Sequence, residues 1–184
     1  TGVIAYLAAQ SPELMQMLFA TPLKWVVIFA PLGLLFFLSA RLEKLSVGAA
    51  QAMFFLYSAM TGLAYSTIFI DYTGDSIARV FFITGGTFGA MSLYGYTTKK
   101  DLTGWGSFLL MGLIGLIIAI VVNLFMQSTA LDFVISAVGV LIFTGLTAYD
   151  TQQIKSMYGA WGDDSGMAQK TAIHGALHLY LDFI

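Results

Sequence analysis

Four runs without a single charged residue, 47–70, 80–98, 102–131 and 133–149, decide what this chain can become. Wound as α-helix at 1.5 Å per residue, about 20 apolar residues cross the roughly 30 Å hydrocarbon core of a bilayer. A soluble domain has no interior for so many such runs: 58% of the 184 residues are apolar and 10% are charged, where about 25% charged is usual. In lipid every backbone polar group must be satisfied within the chain, and runs this long satisfy it as helices. The expected fold is an all-α polytopic membrane protein, with one integral domain over residues 1–184.

Charges and turn residues place spans near 1–9, 23–41, 47–70, 76–97, 103–126, 131–155 and 169–184, seven transmembrane helices in all. The first and last read as truncated, because the chain opens without Met in the apolar run Val3 to Ala9 and stops inside another. Connections are short, with a turn at Thr73-Gly74 and the longest loop at Gly159 to Gly166. The segment Pro12 to Phe19 puts Leu14, Met15, Leu18 and Phe19 on one face and either lies in the interface or extends the first helix. Pro31 removes one backbone hydrogen bond and predicts a kink in the second span. Gly85 and Gly89 form a small-xxx-small pair, and Gly112, Gly115, Gly139 and Gly145 give further small faces, which predicts close helix packing. No inverted repeat of the transporter kind is found.

Of the eight basic residues, Arg41, Lys44, Lys99, Lys100, Lys155 and Lys170 fall near the second, fourth and sixth connections, and only Lys24 and Arg79 fall on the other side. The positive-inside rule then puts the N-terminus in the cytoplasm. A net charge of −2 gives no basis for nucleic-acid binding. Without cysteine there is no disulfide framework, thiolate metal site or thiol nucleophile.

Eight of the ten acids reach a connection or an interface; Asp150 and Asp182 do not. Asp150 follows the uncharged run 133–149 and lies about 8 Å along its helix from Lys155. Asp182 follows the uncharged stretch 171–181 and sits about 15 Å in if its helix starts near Ala172. An ionised carboxylate in the bilayer costs at least about 2.5–3.5 kcal/mol, so both must face protein or water. Antiparallel helices six and seven, joined by a short connection, bring the two acids toward each other. Two such carboxylates share one proton and titrate together, which makes them a candidate proton sensor and cation ligand. The alternative is that each pairs separately with Lys155, Arg41 or a backbone group.

Arg41, at the cytoplasmic end of helix two, either neutralises the acid pair or snorkels to the interface and fixes topology. His174, His178 and Asp182 form an i, i+4, i+8 stripe. It reads as a three-ligand zinc set, a proton relay, or a hydrogen-bonded histidine pair. No metal site is assigned; His174 and His178 are the candidates for one.

At these residues the chain resembles the Bax inhibitor-1, or transmembrane Bax inhibitor motif, family, and looks like its bacterial inner-membrane branch. The resemblance is carried by Leu179-Tyr180-Leu181-Asp182-Phe183-Ile184, Thr147-Ala148-Tyr149-Asp150, Thr97-Thr98-Lys99-Lys100-Asp101-Leu102 and Ser58-Ala59-Met60-Thr61-Gly62-Leu63. It implies seven transmembrane helices with the last one central in the bundle, and a pH-sensitive calcium leak. In that family, aspartates matching Asp150 and Asp182 form a pH-sensing dyad, and an arginine matching Arg41 contacts it in the closed state. His174 and His178 lie outside the family pattern, and no role is carried onto them.

The expected function is therefore a non-enzymatic, pH-sensitive calcium leak channel in a bacterial cytoplasmic (inner) membrane. Asp150 and Asp182 would bind protons or cations, and Arg41 would act as the latch. No cofactor is expected beyond transient Ca²⁺, and the partners are the bilayer, Ca²⁺ and protons. Two rivals remain at this level. One is a regulatory membrane protein that binds a protease or stress factor; the other is a seven-helix zinc-dependent hydrolase using His174, His178 and Asp182.

Overall fold

Lipid offers the backbone no partner, so each apolar run closes its own hydrogen-bond ladder, and small polar residues take over where a run ends. The computed structural model describes residues 1–160 and 165–184. Among the described residues there is no strand. The helices are α1 Gly2–Ala9, α2 Pro12–Phe19, α3 Leu23–Arg41, α4 Val47–Ala64, α5 Ile68–Asp71, α6 Gly74–Thr97, α7 Thr103–Met126, α8 Thr129–Ala160 and α9 Ser165–Phe183, with single 3₁₀ turns at Leu42–Lys44 and Tyr65–Thr67.

Five stretches are long and apolar enough to cross a membrane: Leu23–Arg41, Val47–Asp71, Gly74–Thr97, Thr103–Met126 and Thr129–Tyr158. These match the five inner spans read from the sequence. The other two expected spans do not meet the same measure among the described residues. Helix α1 has eight residues, about 12 Å. Helix α9 carries Gln169, Lys170, His174, His178 and Asp182 along its length.

Boundaries differ from expectation where polar side chains find partners. Helix α8 continues past Lys155 to Ala160, and α9 already begins at Ser165. Residues 161–164 of the expected Gly159–Gly166 loop lie outside the described residues. The segment from Pro12 is a helix of its own rather than an extension of α1. Pro12 stands in its first turn and the Ser11 hydroxyl accepts the Leu14 N–H at 3.4 Å, while Met15 and Leu18 are buried. Helix α3 runs unbroken through the buried Pro31.

The helices gather into two units. The first comprises Thr1–Phe82 and α9 as far as His174. Within it α1 packs on α4, α3 on α4, and α2 on α3. The close approach of α1 and α4 needs Gly62, where a Cβ would stand 2.6 Å from the Thr1 carbonyl oxygen. Fully buried Ser66 sits in the 3₁₀ turn, donates to the Leu63 carbonyl at 2.7 Å and lies 3.3 Å from Met15 Sδ.

The second unit runs from Ile83 through α8 and adds Gly175–Ile184. Helices α7 and α8 form a hairpin around Leu116, Ile142 and Leu146. Its two-residue turn is fixed by Gln127 in the left-handed region (φ 49°) and by the buried Asn123. Asn123 accepts the Ser128 N–H at 3.0 Å and donates to Asp132. Of the glycines expected to pack, Gly112, Gly139 and Gly145 do so, against Ile142, Leu116 and Leu109. Gly85, Gly89 and Gly115 do not, since a Cβ on any of them meets nothing within 4 Å. Spacing by four puts residues on one face, but it does not say that a neighbour covers that face. The tight approach of α6 falls at Gly95 instead, where a Cβ would run into the Ala148 carbonyl.

Candidate functional site

After Asp132 in its first turn, helix α8 carries no charge from 133 to 149 and then meets Asp150, ten residues before its end. The polar residues around that acid are satisfied inside the unit. Thr147 donates to the Phe143 carbonyl at 2.9 Å and Thr151 to the Thr147 carbonyl at 2.7 Å. Both bonds return a hydroxyl to the helix's own ladder. Gln153 Nε2 donates to the Tyr149 hydroxyl at 2.9 Å.

Gln152 and Lys155 face the connection between α6 and α7. Gln152 accepts the Leu102 N–H at 2.9 Å and donates to the Lys100 carbonyl at 2.8 Å. Lys155 Nζ donates to the Tyr96 carbonyl at 2.6 Å and lies 4.5 Å from the centre of that ring. Lys155 thus serves the C-terminal end of α6, where a cation is favourable. In the same connection the Thr103 hydroxyl and its N–H hold exposed Asp101 below the usual carboxylate range.

Helix α9 packs on α8 at Gly175, where a Cβ would stand 2.7 Å from Ile154 Cγ1. Two residues on, Leu177 is buried at 1% exposure. Residue 175 meets residue 154 while residues 178 and 182 meet residue 150, so the two helices run antiparallel. His178 Nδ1 lies 3.5 Å from Asp150 Oδ2. Asp182 is close enough to both Asp150 and His178 to feel their charge. Its Oδ2 is buried and meets no hydrogen-bond donor among the described residues. Phe183 closes this end of the helix with its ring edge-on to Phe88 of α6, centroids 5.4 Å apart.

The second unit therefore brings together Asp150, Asp182 and His178. Arg41 lies in the first unit, exposed at the end of α3. His174 belongs to the first unit's part of α9. Among the described residues no three His, Asp or Glu form a group able to hold a metal ion. The zinc reading of the stripe fails on length, because positions i and i+8 of a helix are about 12 Å apart. The sequence marks His178 through its stripe with His174 and Asp182 but not its partner Asp150, and Gln152 escapes it, showing only as an amide two residues past an intramembrane acid.

An array of apolar helices long enough to cross a bilayer, with two carboxylates and an imidazole converging between two of them, defines a multi-pass membrane protein with a partly buried ionisable site. The family model described as Inhibitor of apoptosis-promoting Bax1 matches residues 1–184. The chain belongs to this Bax inhibitor family. It is 50% identical over 187 residues to the inner membrane protein YbhL of Escherichia coli K12, covering all of this chain and 80% of that protein. It is 47% identical over 184 residues to an uncharacterised protein of Rickettsia prowazekii, covering 78% of it, and 46% identical over 185 residues to one of Borreliella burgdorferi, covering 80%. No solved structure matches.

Proposed function

We propose that this protein is a pH-sensitive calcium leak channel of a bacterial inner membrane, with N-terminus in the cytoplasm and seven crossings, the last of them central. It works by conduction and not by catalysis. The observation that carries this reading is the convergence of Asp150 and Asp182 within one unit, on an α8 that is otherwise apolar or internally satisfied. Such acids are costly in lipid and mark ion or proton pathways. Carboxylate oxygens suit Ca²⁺, which takes 6–8 oxygen ligands. Two aspartates hold it weakly, as conduction requires, since an ion must leave as readily as it enters. Proton occupancy of the pair changes its charge and with it both cation capture and the pull on Arg41, the cationic latch. The inner-membrane location follows the likeness to YbhL and the five apolar spans.

The deciding experiment is Ca²⁺ entry into proteoliposomes across pH. Flux that changes with pH is expected; protein-free background at every pH, with a co-purifying membrane partner, would replace this reading by the regulatory one. Topology has its own test. Asp75, in the first turn of α6, and Lys100, just past its last residue, are exposed at opposite ends of that helix. Cysteines introduced next to Lys100 should label from the cytoplasm, and those next to Asp75 from outside. The reverse pattern would overturn the threading.

A further inference from the structure

Resting on the proposed acid pair, we propose that His178 is its positioning residue: the imidazole engages Asp150 through Oδ2 and leaves Asp182, through its own Oδ2, as the open acceptor of the site. The geometry gives each a different environment. His178 Nδ1 is 3.5 Å from Asp150 Oδ2, with the two side chains 47% and 15% exposed. Asp182, one turn further along α9, has an oxygen that is buried and meets no donor among the described residues. Other polar groups near Asp150 are committed elsewhere: Lys155 to Tyr96, Thr147 and Thr151 to their own helix, and Gln153 to the Tyr149 hydroxyl. An imidazolium donates from both nitrogens, and a neutral imidazole donates to Asp150 in the tautomer that carries its proton on Nδ1.

The division of labour has a chemical consequence. A carboxylate oxygen occupied by a donor is less available to a cation, so His178 withdraws Oδ2 of Asp150 from the ion. The cation then meets the open Asp182 carboxylate with only the remaining oxygen of Asp150 beside it.

Two measurements on the folded protein test this. In nanodiscs, with His174→Ala leaving a single histidine, the Nδ1–H of His178 should give a downfield, slowly exchanging NMR signal. It should vanish in Asp150→Ala and persist in Asp182→Asn. A signal that survives Asp150→Ala overturns the inference, and this outcome does not depend on whether the protein conducts. In proteoliposomes, His178→Leu frees Asp150 and should lower the Ca²⁺ concentration giving half-maximal flux about tenfold, the equivalent of losing one charged hydrogen bond. His178→Asn places an amide donor near the Nδ1 position and should restore the parent value. Parent-like flux in folded His178→Leu, or failure of His178→Asn to restore it, also overturns the inference. The reading of the acid pair fails separately, if Asp150→Asn and Asp182→Asn both conduct like the parent. Should His178→Leu not fold, the NMR signal decides.

Discussion

Gly95→Ala is expected to destabilise the second unit by about 1–3 kcal/mol, the usual cost of forcing an extra group into a packed interior. Gly95 is the buried residue of α6, and its Cβ would meet three backbone atoms of Ala148, with the carbonyl carbon at 2.8 Å and Cα at 2.9 Å. A side chain could rotate away, but a helix backbone cannot, so α6 and α8 must separate. The control is Gly89→Ala, where a Cβ meets nothing within 4 Å and the change should be near neutral. Thermal unfolding in detergent, followed by circular dichroism, compares the two. Equal midpoints would mean that α6 does not approach α8 at Gly95. Ala148 lies two residues before Asp150, so the same variant should also disturb the acid cluster and alter the pH response of Ca²⁺ flux.

The five inner spans are legible in the sequence because a charge inside lipid is costly enough to leave long uncharged runs, and the ends of those runs are the ends of helices. Hydropathy is silent where polar residues satisfy one another. Helix α8 passes Lys155 because Gln152 and Lys155 spend their polar groups on the neighbouring connection rather than on water. Helix α2 stands apart from α1 because Ser11 and Pro12 begin a new helix there. Glycine spacing misleads for a similar reason. Gly85 and Gly89 carry the motif yet face open space, while Gly95 and Gly106 carry none and lie against Ala148 and the Tyr149 ring. Packing depends on which face a neighbour covers, and a single chain segment does not encode that.

The two acids of the site are legible for the opposite reason: nothing near them in sequence can neutralise them at low cost. Lys155 looks like a partner for Asp150 at five residues' distance, but that spacing turns it away around the helix, and it reaches Tyr96 instead. The contact of His178 with Asp150 is hidden because it depends on a helix pairing, with residue 154 against 175 and 150 against 178, that spacing within α9 alone cannot give.

Asp182→Asn is expected to remove most of the pH dependence of Ca²⁺ flux. Two carboxylates that feel each other's charge lose their protons in coupled steps, and each 1.4 kcal/mol of coupling spreads those steps by about one pH unit. An amide cannot ionise, so the variant has no coupled pair left to change its charge, and the flux profile should flatten. Asp182 Oδ2 has no donor among the described residues, so no donor contact is lost at that oxygen, and an amide at this position can still hydrogen-bond the Asp150 carboxylate beside it. The substitution should therefore leave folding nearly intact, which separates a sensing defect from a structural one. Asp150→Asn should also flatten the profile, with an added loss of stability because the His178 contact at 3.5 Å is weakened. His174→Ala, one turn further from the acids, should keep the parent profile. Flux measured in proteoliposomes from pH 5 to 9 (roughly the range in which carboxylate and imidazole sites titrate when perturbed), with size-exclusion profiles matched across variants, reads all three. If both aspartate variants keep the parent profile, proton sensing belongs to other residues, and the convergence of α8 and α9 holds the bundle together without gating it.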